Sequence, residues 1–225
     1  LRTRLSKCWC NLALATDKYL FLHIPKTGGV WLSQILRKIS APIEVGHQHS
    51  HFPQLCQIYE PDWFISKFIF TMVRHPITWY QSRWAFRVKY GWHSSHPLDY
   101  NCASNDFNQF VINALEYKPD GWYTYEIDQF MCGVPGGIRH VIKLEDGLNG
   151  VIEAINQIGL QYDINVIKSI PRVNDSDMGG RTSKYWAKYR PDVYKRVINV
   201  ERRVIDRYYS GHKINPSDHV GPRPW

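Results

Sequence analysis

The stretch Phe21-Leu22-His23-Ile24-Pro25-Lys26-Thr27-Gly28-Gly29-Val30-Trp31 constrains the fold more than any other part of the chain. Tyr19 to Ile24 is an apolar and aromatic run, the pattern of a strand buried inside a parallel sheet. Pro25 has no N–H to give a ladder, so the strand is expected to stop there. Gly28 and Gly29 let backbone approach a ligand closely, and a helical period follows through Leu32, Ile35, Leu36 and Ile39. A strand that feeds a helix N-terminus through a Lys and two glycines makes an anion site, because unpaired N–H groups and the positive end of the helix dipole face the loop. The common nucleotide loop places its Lys after the second Gly and follows it with a magnesium-binding hydroxyl. Here Lys26 precedes both glycines, an order that argues against an ordinary ATP or GTP loop. On this stretch alone, a tight turn with a solvated Lys is the competing reading.

A second basic motif follows a second buried run. Lys67 to Val73 reads as a strand and ends at Arg74-His75-Pro76, and a helix continues through Ile77, Trp79, Tyr80, Trp84 and Val88. Pro76 suits the first helical position, where its missing N–H costs nothing. Arg74 is thereby placed at the C-terminal edge of a strand, the edge at which open α/β sheets bind ligands. Ser82 lies eight residues on, about two turns into the helix. His140 to Leu144 is a third strand, ending at Glu145-Asp146, and Leu148, Val151, Ile152, Ile155 and Ile158 mark the helix after it. Alternating strands and helices predict an α/β fold: one domain, a three-layer sandwich around a mainly parallel sheet, with both basic motifs on its C-terminal edge.

Between these elements the chain is less regular. Gly91 to Asp106, Tyr117 to Glu126 and residues 169 to 184 read as loops, the last with Arg172, Arg181 and Lys184 around two glycines. Ser104 or Asn105 is expected to cap the helix through Phe107, Phe110, Val111, Ala114 and Leu115. Pro191 opens a last helix through Val193, Val197, Val204, Ile205 and Tyr208. Residues 1–18 read as a polar lead-in, with room for a short helix; 19–209 read as the domain, and 210–225 as a tail.

Gly46-His47-Gln48-His49-Ser50-His51 carries three His at alternating positions, one face of an extended segment if it were a strand. Three readings stand for that group: a metal chelate, an exposed polar loop, or a catalytic base that titrates near neutrality. No carboxylate or Cys stands beside it to complete a metal set. The formal charge of +8 favours anionic partners, but the Lys and Arg residues are dispersed rather than clustered as in a nucleic-acid tail. Cys8 and Cys10 are too close for a zinc knuckle, and five Cys in 225 residues make a disulfide framework improbable.

Pro25-Lys26-Thr27-Gly28-Gly29 together with Arg74-His75-Pro76 and Ser82 resembles the sulfotransferase family that uses 3′-phosphoadenosine 5′-phosphosulfate (PAPS). The resemblance covers residues 19 to 209, with fainter echoes at Gln129-Phe130-Met131-Cys132-Gly133 and His140 to Asp146. It implies a P-loop-like fold in which Pro25, Lys26, Thr27, Gly28, Gly29, Val30 and Trp31 cradle the 5′-phosphosulfate and Arg74 and Ser82 hold the 3′-phosphate. His47-Gln48-His49 is similar to a His-x-His in the Golgi-type enzymes that sulfate uronic acids of heparan chains. The pattern His49, Phe52, Leu55 is similar to that around the base of the glucosamine 6-O-sulfating enzymes. His49 is therefore the implied base, His47 the second candidate, and Lys26 the cation at the leaving phosphate. Many relatives carry a hydroxyl where this chain has Val30, which leaves backbone N–H groups, Lys26 and Thr27 to hold the 5′-phosphate.

The function implied is sulfuryl transfer from PAPS to a hydroxyl or amine, with a carbohydrate as the acceptor and PAP as the product; no metal is required. No nucleic-acid partner is expected and no membrane span occurs in the sequence. A cytoplasmic location is expected if the chain is near full length, the Golgi lumen if an N-terminal anchor precedes it. Two other functions fit parts of the sequence: a polyanion-binding protein with a degenerate sulfotransferase site, and a nucleotide-dependent phosphoryl transferase.

Overall fold

The computed structural model describes residues 12–47, 49–94, 96–171 and 187–211. Its strands are β1 (Ala13–Ala15), β2 (Tyr19–Leu22), β3 (Ile43–Val45), β4 (Phe68–Val73) and β5 (His140–Lys143). They form one five-stranded sheet in the order β3-β1-β2-β4-β5. The fold is α/β, and the residues divide into two compact units. The first runs up to Val73 and includes Phe130–Ile142 and the segment from Asp146 to 171; the second holds Arg74–Gln129, Lys143–Glu145 and 187–211.

In the first unit β2 and β4 run parallel, with Tyr19 opposite Phe68 and Leu22 opposite Thr71, so both strands end at the same edge of the sheet. Every side chain of β2 is buried, which is why Tyr-Leu-Phe-Leu shows no alternation. The buried Thr71 hydroxyl is satisfied by the Leu22 carbonyl at 2.7 Å. The expected mainly parallel sheet is corrected to a mixed one: β1 pairs antiparallel with both β2 and β3. β1 lies in the stretch read as a polar lead-in. A turn joins it to β2, held by the Thr16 N–H on the Tyr19 carbonyl at 3.0 Å and by the Thr16 hydroxyl accepting from the Lys18 and Tyr19 N–H groups.

Helix α1 (Gly29–Ser40) buries Trp31, Leu32, Ile35 and Leu36 and carries Arg37 and Lys38 in its last turn, where cations complement the dipole. The short helices α2 (Phe52–Leu55) and α3 (Pro61–Ile65) close one side of the unit's core. There Phe52, Leu55 and Phe64 join Ala13, Ala15, Leu20, Leu22, Val45 and Ile69. Helices α8 (Gly147–Ile158) and α9 (Ile164–Lys168) complete the unit.

The second unit is helical. Helix α4 (Pro76–Tyr90) is buried from Pro76 through Ala85. The stretch expected to be a loop over 91–106 contains helix α5 (Pro97–Cys102), whose Asp99 is buried against the guanidinium groups of Arg83 at 3.5 Å and Arg87 at 2.6 Å. Helix α6 (Phe107–Tyr117) is capped by Asp106, not by Ser104 or Asn105, with the carboxylate accepting from the Gln109 N–H at 2.7 Å. Helix α7 (Trp122–Met131) starts inside the expected second loop. The last helix is broken at Glu201 into Pro191–Val200 and Arg202–Tyr208, where that residue leaves helical geometry.

Cys56, Cys102 and Cys132 are free thiols, and Cys8 and Cys10 lie outside the described residues. The Arg172–Lys184 part of the loop read over 169–184 and nearly all of the tail also lie outside them. Among the described residues no helix is long and apolar enough to cross a membrane.

Candidate functional site

The Lys26 loop is built by what β2 and α1 demand at their junction. β2 stops at Leu22, and His23 and Ile24 continue the buried run to Pro25. Lys26 then adopts φ 65° and Gly28 φ 95°. The left-handed region suits glycine but strains a residue with a Cβ, so Lys26 is held there by its surroundings. Thr27 supplies part of that hold: its hydroxyl donates to the Ile24 carbonyl at 2.8 Å, and the side chain is fully buried. A hydroxyl has one proton, and in this structure Thr27 uses it to brace the loop. The first bond of α1 runs from the Trp31 N–H to the Gly28 carbonyl at 3.0 Å, which leaves the Gly29 and Val30 N–H groups ahead of the helical ladder. No acidic residue stands in the first turn and no side chain caps it. Trp31 turns inward, its indole N–H donating to the Ile170 carbonyl at 3.3 Å.

Gly29 is required by packing. A Cβ there would lie 2.1 Å from Cδ2 of His23, so the imidazole occupies the space a side chain would take. His23 is 3 % exposed and stacks on Phe21 at 5.9 Å. Its other face of contact is His49, edge to face at 5.5 Å and 74°. The structure therefore brings His49, and the Lys26 loop through Gly29, to one imidazole. It shows no such contact for His47, whose segment is a turn pinned by Ser50: the Ser50 hydroxyl accepts from the His47 N–H at 2.7 Å and donates to its carbonyl at 3.0 Å. The three His do not share one face of a strand. His49 has φ 55°, and the His51 ring packs on Phe130 at 4.5 Å.

Burial pushes the His23 pKa down to about 3, and the charges of His49, Arg37 and Lys26 add to that effect. In the unfolded chain the group titrates near 6.5, so between these values the unfolded state binds more protons. The stability His23 contributes is present above the ordinary His range and is lost as pH falls toward 3. His96, lowered to about 4 by burial and by Arg83, acts in the same direction. For His23 alone the loss between pH 7 and pH 5 is about 2 kcal/mol. Urea unfolding at the two pH values checks this, and His23→Phe flattens the slope if the assignment is right.

In the second unit Arg74 is framed on three sides. Its N–H donates to the Tyr123 hydroxyl oxygen at 2.8 Å, and its Nε–H donates to the Thr78 hydroxyl at 2.9 Å. Thr78 passes its own proton to the His75 carbonyl at 3.0 Å. Burial lowers the Arg74 pKa, and the Glu145 carboxylate opposes that most strongly. Glu145 is itself held, accepting from the His75 N–H at 2.9 Å and from the Tyr209 hydroxyl at 3.0 Å. Ser82 is 5 % exposed, one turn beyond Thr78 on the same face of α4, so Arg74, Thr78 and Ser82 form a polar row. His75 caps α4, its Nδ1 accepting from the Ile77 N–H at 3.3 Å.

Pro25 to Trp31 and His49 belong to the first unit, and Arg74 and Ser82 to the second. Sequence reasoning missed His23, Thr78 and Glu145. His23 carries a signal of its own, a polar residue in a run otherwise buried and apolar. Thr78 is an i+4 neighbour of both Arg74 and Ser82, and Glu145 is joined to them only by the fold. Comparison of the chain with family models, with curated proteins and with solved structures gave no match.

Proposed function

We propose that this protein is a PAPS-dependent sulfotransferase acting on a hydroxyl or amine of an acceptor, with carbohydrate as the acceptor class. The observation that carries the reading is the Lys26 loop: a cationic side chain on left-handed backbone, followed by a helix N-terminus with no acidic or capping side chain of its own. These features fit an anionic group, which gains from the N–H groups of Gly29 and Val30 and from the dipole of α1. PAPS would supply the sulfuryl group and depart as PAP.

The chain's own residues have definite tasks in that reaction. His49 takes the proton from the attacking hydroxyl as the oxygen–sulfur bond forms and the bond from sulfur to the bridging oxygen breaks. Lys26 neutralises the charge that accumulates on the departing 5′-phosphate, a stabilisation present mainly in the transition state. The Arg74 guanidinium pairs with the 3′-phosphate, oriented by its Nε bond to Thr78, and Ser82 adds a hydroxyl on the same row. With Thr27 committed to Ile24 and Val30 lacking a hydroxyl, backbone N–H groups and Lys26 hold the 5′-phosphate.

Calorimetric titration with PAP, beside turnover of sulfur-labelled PAPS over uronic-acid and glucosamine acceptors, tests the reading. The expected result is saturable PAP binding and labelled acceptor. Absence of PAP binding, combined with polyanion binding that weakens steeply as salt rises, would overturn it in favour of the polyanion-binding alternative.

A further inference from the structure

The first unit holds a cleft of about 410 Å³ at the end of β2 away from the Lys26 loop. Thr16 and Asp17 precede β2, and Lys67 precedes the parallel strand β4. Ser40 in the last turn of α1, Ile43 on the edge strand β3 and Trp63 of α3 complete the lining. Lys67 is only 6 % exposed. Its ammonium donates to the Thr16 carbonyl at 2.7 Å and lies 4.3 Å from the centroid of the Trp63 ring. It forms no ion pair among the described residues, although the exposed Asp17 lines the same cleft. A buried Lys is ordinarily paired, so one without a counter-ion calls for a reason.

The unmatched hydrogen-bonding capacity of the cleft is of both kinds. Lys67 has N–H groups beyond the one on Thr16. The Thr16 hydroxyl accepts from the Lys18 N–H at 3.1 Å and the Tyr19 N–H at 3.3 Å, and gives its own proton to no group among the described residues. Asp17 can only accept. Ser40 donates to the Leu36 carbonyl at 2.8 Å and takes the Tyr19 hydroxyl at 2.7 Å, which leaves it one lone pair. A net anion would be repelled by Asp17 and a net cation by Lys67. A hydroxyl both donates and accepts, so an uncharged polyhydroxyl ligand satisfies both groups. Ile43, 61 % exposed, adds an apolar surface beside them. We propose that this cleft binds one ring of a neutral saccharide. The sugar hydroxyls donate to Asp17 and accept from Lys67 and Thr16, and the ring C–H groups pack on Ile43. The assignment goes beyond the sulfotransferase reading and does not rest on it.

Saturation-transfer NMR and calorimetry test this with glucose, galactose, N-acetylglucosamine, cellobiose and lactose as neutral probes. Glucuronate, glucosamine and glutamine serve as anionic, cationic and zwitterionic ones. At least one neutral sugar should bind, with an affinity that changes little as salt rises. Asp17→Ala, at an exposed position, should fold as the parent does and weaken that binding about tenfold or more, the loss of a hydrogen bond to a charged acceptor. Ile43→Ser, also at an exposed position, should weaken it by a smaller factor. Three results would each overturn the proposal: no neutral sugar bound, a preference for one of the charged probes, or sugar binding that Asp17→Ala leaves intact. The last would place the sugar elsewhere on the protein. Calorimetry with PAP decides the sulfotransferase reading separately, so either assignment can fail without the other.

Discussion

Glu201→Ala should destabilise the protein by about 3 kcal/mol or more, because it leaves several buried donors without their acceptor at a cost of about 1–3 kcal/mol each. Glu201 is fully buried and accepts four hydrogen bonds: from the Tyr80 hydroxyl at 2.6 Å, the Tyr123 N–H at 3.0 Å, the Thr124 N–H at 2.8 Å and the Thr124 hydroxyl at 2.7 Å. Two of those donors are backbone groups in the first turn of α7, and a third, the Trp122 N–H, donates to the Tyr80 hydroxyl at 3.3 Å. The carboxylate is thus the cap of α7, delivered from the break between the two last helices. Gly121 leaves room for it: a Cβ there would lie 2.6 Å from the carboxylate, and φ is 94°. Glu201→Gln is the informative control. Its amide NH₂ must replace one oxygen and face a backbone N–H that cannot reverse, so the expected loss is about 1–3 kcal/mol. Urea unfolding of both variants measures the two losses. A Glu201→Ala protein as stable as the parent would show that the network does not hold α7.

That network explains one limit of sequence reading. Val193, Val197, Val204 and Tyr208 form an apolar stripe, and Glu201 sits on it at a spacing where the core demands a hydrophobic residue. The period was legible and the exception with it, but not the partners, which are some 80 to 120 residues away in sequence. The same distinction runs through the fold. β2, β4 and β5 and the helices α1, α4, α6 and α8 announce themselves by apolar runs or a helical period long enough to read. β1 and β3, Ala-Leu-Ala and Ile-Glu-Val, are too short to carry a period. Their antiparallel pairing turned a sheet expected to be mainly parallel into a mixed one.

At the candidate site, backbone geometry was more legible than side-chain roles. Pro25 and the paired glycines predicted a sharp passage from strand to helix, and Lys26 and Gly28 make it through left-handed backbone. The reason for Gly29 could not be read locally, because the atom that forbids a side chain there belongs to His23, six residues earlier. Thr27 looked like a phosphate ligand, and its proton goes instead to Ile24. The alternating His suggested a strand, whereas the left-handed backbone at His49 follows from a turn set by Ser50.

On the proposed sulfotransferase reading, Lys26→Ala is expected to lower sulfuryl transfer by about 10²–10³-fold or more, the effect of removing one preorganised charge from a developing anion. PAP affinity should fall much less, because the Gly29 and Val30 N–H groups and the α1 dipole remain. Position 26 allows a second variant that separates charge from backbone. Alanine keeps the strain of φ 65°, whereas Lys26→Gly relieves it and adds freedom to the unfolded chain. If the left-handed backbone is retained only for the sake of the ammonium group, Lys26→Gly folds as well as the parent or better. It is then as inactive as Lys26→Ala. Should Lys26→Gly fold and bind PAP yet keep full turnover, the charge is dispensable and the loop's role reduces to its N–H groups. Single-turnover rates with labelled PAPS distinguish these outcomes, since they report the transfer step apart from PAP release. The strain at Lys26 is then a local cost sustained at the junction of β2 and α1 to hold an ammonium group beside the helix N-terminus.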